Sequence, residues 1–111
     1  MRERVEQLGA SIPHEKVLAL WDDALAAPLN TRRRWLHGDL HPANIVVNEG
    51  RLAAVIDWVD LGGGDSAYDL AAAWFCFPDP SHRAVFVEAT GETDEAAWVR
   101  ARALALSHAL A

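Results

Sequence analysis

The spacing of apolar residues changes along the chain, and each change marks a different element. Val5 and Leu8, then Val17, Leu18, Leu20, Trp21, Leu25 and Ala26, recur near helical spacing, with Pro13 dividing the run and Pro28 closing it. Two N-terminal helices are predicted. The stretch "WLHGDLHPANIVV", residues 35–47, then sets a polar interval between apolar flanks and reads as strand, loop, strand. Residues 45–47 and 52–56 are β-rich runs joined by Asn48, Glu49 and Gly50, which predicts a β-hairpin with Gly50 at a positive φ. Helical spacing returns after Asp65 or Ser66, either of which can cap a helix running through Leu70, Ala71 and Trp74 until Pro78 and Pro80 stop it. Two more helices are expected over 81–89 and 94–110, separated by residues 90–93, with Thr93 as the second N-cap. The sum is an α+β fold, mostly helical, with one small β-hairpin. Its polar stretches gather at the two ends of that hairpin.

Composition narrows what such a domain can do. The chain has 111 residues, 51% of them apolar, enough for one small domain with a modest core. A net charge of −6, with a single basic run at Arg32, Arg33 and Arg34, argues against a phosphate-backbone binding face, so no nucleic-acid partner is expected. Cys76 is the only cysteine, which rules out an internal disulfide and suits a reducing cytoplasm. The N-terminus is charged and lacks an apolar signal core, and the most apolar stretch, residues 70–77, is too short to span a bilayer. A soluble, cytoplasmic protein without a membrane partner is expected.

The chemistry lies in the interrupted stretch. His37, Asp39 and Asn44 reproduce the H-x-D-x-x-x-x-N spacing of a kinase catalytic loop, in which Asp accepts the proton of an attacking hydroxyl and Asn holds magnesium. A carboxylate can orient and deprotonate a hydroxyl, whereas a neutral amide oxygen suits a hard cation such as Mg²⁺. The second half is "AAVIDWVD", where Asp57 follows a β-run and precedes an aromatic residue, as in the Asp-Phe-Gly segment whose Asp chelates magnesium. If the two β-runs pair, Asn44 and Asp57 fall at the same open end of the ribbon and can share one ion.

The run "HGDLHPANIVVNEGRLAAVIDWVDLGGGDSAYDLAAAW" closely resembles the catalytic core of the aminoglycoside phosphotransferase family, small-molecule kinases of protein-kinase-like fold. The likeness is dense over residues 35–75 and looser over the flanking helices. It implies Asp39 as the catalytic aspartate, Asn44 and Asp57 as ligands of Mg²⁺ and thereby of the nucleotide, ATP or GTP, and His37 as a scaffold residue. Asp65, Tyr68 and Asp69 match the family's G-D-x-x-Y-D-L-A helix start, where the second aspartate supports the catalytic loop. The implied activity is transfer of the γ-phosphate to a hydroxyl of a small molecule, such as an aminoglycoside, with cationic acceptors among the candidates.

Trp58 and Val59 stand where protein kinases have Phe-Gly, and no Gly-rich phosphate loop, Val-Ala-Ile-Lys-like strand or partner glutamate helix occurs in the sequence. The chain is therefore expected to be a single partial domain over 1–111, the C-terminal lobe of the kinase-like fold without the ATP-covering lobe. It should be nearly inactive alone and inclined to self-associate through the surface that the lobe would cover. Two other classes stay open: a non-catalytic, pseudokinase-like binding module, and a metal hydrolase built on His37, Asp39, His41 and Asp57, which lacks the further clusters a dinuclear site needs. Among the remaining motifs, Gly62, Gly63 and Gly64 read as a connector rather than a phosphate loop, and His41 beside Pro42 reads as structural. Asp65 reads as a cap and Asp69 as an internal strut. Trp21, Trp35, Trp74 and Trp98 read as core, Cys76 as a buried small hydrophobe, and Glu88, Glu92, Asp94 and Glu95 as a solvated turn.

Overall fold

A computed structural model describes residues 1–29 and 32–111. Two N-terminal helices, α1 (Arg2–Leu8) and α2 (His14–Ala26), flank a short 3-10 turn, and Pro13 takes the N-cap position of α2, where its missing N–H costs nothing. Strand β1 (Arg34–Leu36) leads into the polar loop, and a 3-10 turn over Pro42–Asn44 delivers the chain into β2 (Ile45–Asn48) and β3 (Arg51–Val55). These two strands pair antiparallel as the expected hairpin. Glu49 and Gly50 both have positive φ, 51° and 73°, which is the signature of the type I′ turn that matches strand twist. A register irregularity between Val46 and Val47 adds a local bend.

The structure departs from the sequence reading in five places. Residues 62–64 form a strand, β4 (Gly62–Gly64), which pairs antiparallel with β1, so the described residues form two small ladders and the glycines are no connector. Small size is what allows it: a Cβ on Gly64 would come within 3.0 Å of Leu36 Cδ1. The helix after Asp65 is broken into α3 (Ala67–Leu70) and α4 (Ala72–Phe75), and the Trp74 N–H reaches Ala71 O at 3.0 Å, an i to i−3 bond that tightens the junction. The last helices are α5 (Pro80–Thr90) and α6 (Glu95–Ala109), and the N-cap of α6 is Asp94 rather than Thr93. The Asp94 carboxylate accepts the Ala96 N–H at 3.0 Å and also suits the positive end of the helix dipole. Finally, Trp35 is 81% exposed on the short β1–β4 ladder, which covers only one face, and Cys76 is half-buried.

The interior is made of small side chains. Ala67, Leu70, Ala97 and Ala101 pack α3 against α6, and α2 lies along α6 as well. Alanines at Ala97 and Ala101, one helical turn apart, let the helices approach closely, and the larger rings of Trp74 and Trp98 close the seam edge to face, 6.2 Å apart. Among the described residues, no helix is long and apolar enough to cross a membrane.

Candidate active site

The polar loop between β1 and β2 is held from beneath by one carboxylate. Asp69 on α3 accepts the His37 N–H at 2.7 Å through Oδ2 and the Gly38 N–H at 3.0 Å through Oδ1. Both backbone donors are thereby satisfied by an ionisable group, and such charge-assisted bonds contribute about 1.5–3 kcal/mol each. Gly38 is required for the turn, because its φ is +90° and a Cβ there would lie 2.7 Å from Asp60 O. His37 is buried and its tautomer is set by its neighbours. Nδ1 accepts the Asp39 N–H at 3.2 Å, so Nε2 carries the proton and donates to Ile56 O at 2.8 Å. The ring also meets Trp58 edge to face, with centroids 4.6 Å apart. His37 thus ties the loop to the end of β3, and Trp58 covers it.

Asp39 is half-exposed at the tip of this braced loop. Its side chain faces two neighbours: Asn44 Nδ2 donates to Asp39 Oδ2 at 3.2 Å and to Asp39 O at 2.8 Å, and His41 Nε2 stands 3.4 Å from Oδ2. His41 does a second job. Its Nδ1 accepts the Ala43 N–H at 3.3 Å and so caps the 3-10 turn that presents Asn44. Asn44 itself is buried, and its side chain contacts Asp39 and His41 through Nδ2, which leaves Oδ1 as the oxygen able to meet a cation.

Asp57 reaches the same end of the hairpin by a different route. Ile45 pairs with Val55, and the Ile56 N–H then donates to Asn44 O at 2.9 Å, so the residue after Ile56 leaves the ribbon beside Asn44. Asp57 has a φ of 59°, a left-handed conformation that a non-glycine residue adopts at some cost. Its side chain is exposed. Amide and carboxylate oxygens at adjoining strand ends are a hard donor set that fits Mg²⁺, which keeps several waters and takes only one or two protein ligands beside phosphate oxygens. Among the described residues, no group of three or more His, Cys, Asp or Glu side chains gathers into a metal cage.

One stabilising contact near the site escaped the sequence reading. Arg100, buried on α6, donates to Asp65 through Nε at 2.8 Å and Nη2 at 3.2 Å, and its Nη1 donates to Pro28 O. Asp65 also accepts the Ala67 N–H at 3.1 Å, so it starts α3 as expected and pins α6 to it. Burial pushes the Asp65 carboxyl up, but the Arg100 hydrogen bond, the Ala67 N–H and the guanidinium charge outweigh it and hold the carboxyl below its ordinary range. The Asp65 bond, opposed by burial and helped by the charges of Asp65, Asp94 and Glu92, raises Arg100 in turn. A signal was present: Arg100 interrupts the stripe Ala97, Ala101, Leu104, and a guanidinium on an apolar face needs a partner.

A mostly helical α+β chain thus presents the H-x-D-x-x-x-x-N order of a kinase catalytic loop on a braced loop, with an aspartate at the adjoining hairpin end. The chain matches the model of the phosphotransferase enzyme family over residues 1–104, and it belongs to that family. It is 39% identical over 46 residues to a hygromycin-B 4-O-kinase of Escherichia coli, a match that covers 41% of this chain and 14% of that protein. The chain therefore spans a small part of the length of this curated relative. No solved structure matches it.

Proposed function

We propose that the chain carries the catalytic loop of a small-molecule kinase and corresponds to the C-terminal lobe of a protein-kinase-like fold, transferring the γ-phosphate of ATP or GTP to an acceptor hydroxyl. Asp39 orients the hydroxyl and takes its proton as the oxygen bonds to the γ-phosphorus and the bond to the bridging oxygen of the leaving nucleoside diphosphate breaks. Asn44 and Asp57 are the residues that would hold Mg²⁺. Bound there, the ion would offset charge on the phosphate oxygens. His37 and Asp69 do not touch substrate in this scheme; they keep Asp39 and Asn44 in register. The observation that carries the reading is the double acceptance of the His37 and Gly38 amides by Asp69, because it fixes a half-exposed carboxylate without consuming it.

Lys16 is the only lysine in the sequence and lies on α2, so transfer by these 111 residues alone is expected to be slow, and faster from a longer chain that supplies a phosphate-binding lysine and loop. The exposed Trp35, Val59 and Leu61 support self-association of the chain when nothing else covers them. The test is phosphoryl transfer from Mg-ATP or Mg-GTP to a panel of hydroxylated acceptors, followed by ³¹P NMR, with the 111-residue chain and an upstream-extended chain in parallel. Asp39→Asn should lower turnover by about 10²–10⁴-fold, the usual contribution of a general base. Turnover that survives this change, or no transfer from either chain to any acceptor, contradicts the proposal.

A further inference from the structure

His41 stands between the base and the metal ligand of the proposed transfer, and the hydrogens around it can be counted. Asn44 Nδ2 carries two, and its nearest acceptors, Asp39 O at 2.8 Å and Asp39 Oδ2 at 3.2 Å, take both. The third contact of that nitrogen, with His41 Nε2 at 3.3 Å, is left without a hydrogen. On the other side of the ring, Nδ1 accepts the Ala43 N–H at 3.3 Å. A neutral imidazole has one proton and one acceptor nitrogen, so with Nδ1 accepting, the proton sits on Nε2. Nε2 stands 3.4 Å from Asp39 Oδ2. Two N–H groups from different residues thus meet one carboxylate oxygen, and among the described residues nothing hydrogen-bonds the other, Oδ1.

Resting on the phosphotransferase reading above, we infer that His41 is a positioning residue: it holds Oδ2 so that Oδ1 takes the acceptor's hydroxyl proton, and it ties that orientation to the turn presenting Asn44. Exposure makes the hold necessary. The side chains of His41 and Asp39 are 38% and 39% exposed, so water competes for the carboxylate, which is otherwise free to sample other staggered wells. The Asp69 brace does not reach it, because it grips the main chain at His37 and Gly38 and leaves the Asp39 side chain alone. His41 is also the N-cap of the 3-10 turn over Pro42–Asn44. Since the imidazole is rigid, a rotation that frees Asp39 also takes Nδ1 off the Ala43 N–H. The orientation of the base and the placement of the metal ligand are thereby set by one ring.

Two substitutions separate this role from capping alone. Asparagine carries its polar atoms at the δ position and replaces Nδ1 as a favoured N-cap, but not Nε2; glutamine carries an amide at the ε position and replaces Nε2, but caps poorly. In the 111-residue chain at about pH 8, a long-range ¹H–¹⁵N spectrum should show His41 protonated at Nε2. Three-bond couplings to the Asp39 β protons report its χ1 populations. His41→Asn should keep the thermal unfolding curve and the exchange protection of the Ala43 amide, yet raise the minor Asp39 rotamers at least about twofold, the lower end of what one hydrogen bond contributes. His41→Gln should restore the parent Asp39 couplings while the Ala43 amide loses protection. In the transfer assay, His41→Asn should lower kcat by a similar factor with the nucleotide KM unchanged. Protonation at Nδ1, parent-like Asp39 couplings in His41→Asn, no recovery in His41→Gln, or an unmoved kcat overturns the inference. Loss of the transfer reading would appear separately, as turnover independent of Asp39.

Discussion

Asp69→Asn isolates the brace under the loop from everything else at the site. The change keeps size and shape, but only one oxygen remains to accept the two amides now bound at 2.7 and 3.0 Å, and the new NH₂ group must face the other amide donor to donor. One charge-assisted bond is lost, worth about 1.5–3 kcal/mol, and the survivor becomes a neutral bond of about 1 kcal/mol. Because Asp69 is half-buried, part of this is returned by water, which places the expected loss at about 2–3 kcal/mol. For a domain of this size that is a fall in Tm of roughly 10–20 °C. Urea unfolding gives the free energy, and amide hydrogen exchange localises it: His37 and Gly38 should lose protection more than the α3–α6 core does. A variant within about 0.5 kcal/mol of the parent, with those two amides still protected, would refute the brace.

Gly38→Ala should cost about 2–4 kcal/mol, because the new Cβ would sit 2.7 Å from the main-chain oxygen of Asp60, and a second change of Asp60 to Gly should not restore stability in a denaturant melt. Arg100→Met should destabilise the protein by about 2–4 kcal/mol at neutral pH, since it strands the Asp65 carboxylate. The sign with pH follows from the lowered Asp65 pKa: the contribution is fully present above the unfolded value near 3.9 and is lost as pH falls through the lower folded value. The parent should therefore lose stability across that acid window faster than Arg100→Met does, and parallel curves would contradict the assignment. Asp57→Gly should raise stability by about 0.5–1 kcal/mol by relieving the left-handed backbone, yet weaken divalent-cation binding, and a calorimetric titration together with a thermal melt separates the two.

Much of this architecture was legible because its signals are local. Proline positions placed the breaks between helices, the Glu49–Gly50 turn announced the hairpin, and the spacing of His37, Asp39 and Asn44 located the loop. What the sequence hid depends on partners distant along the chain. Three consecutive glycines carry no strand propensity, and β4 is defined by its pairing with β1, where a Cβ on Gly64 would meet Leu36 Cδ1 at 3.0 Å. Thr93 and Asp94 are both good caps, and the carboxylate won the contest at the helix start. Trp35 looked like core by type, but a two-stranded ladder buries only one of its faces. The Asp65–Arg100 pair links positions that no local pattern connects. The left-handed Asp57 was likewise invisible, since residue identity does not report a strained φ.

The proposed transfer requires Asn44 and Asp57 to form one cation site from two segments, and that can be measured without knowing the acceptor. Mn²⁺ added as a paramagnetic stand-in for Mg²⁺, with ATP present, should broaden the amide resonances of Asn44 and Asp57 together, at lower concentration than any others, and Asp57→Asn should weaken the effect at both by about tenfold. Broadening confined to the acidic turn at Glu92, Asp94 and Glu95, or broadening at Asn44 that ignores the change at Asp57, would contradict it.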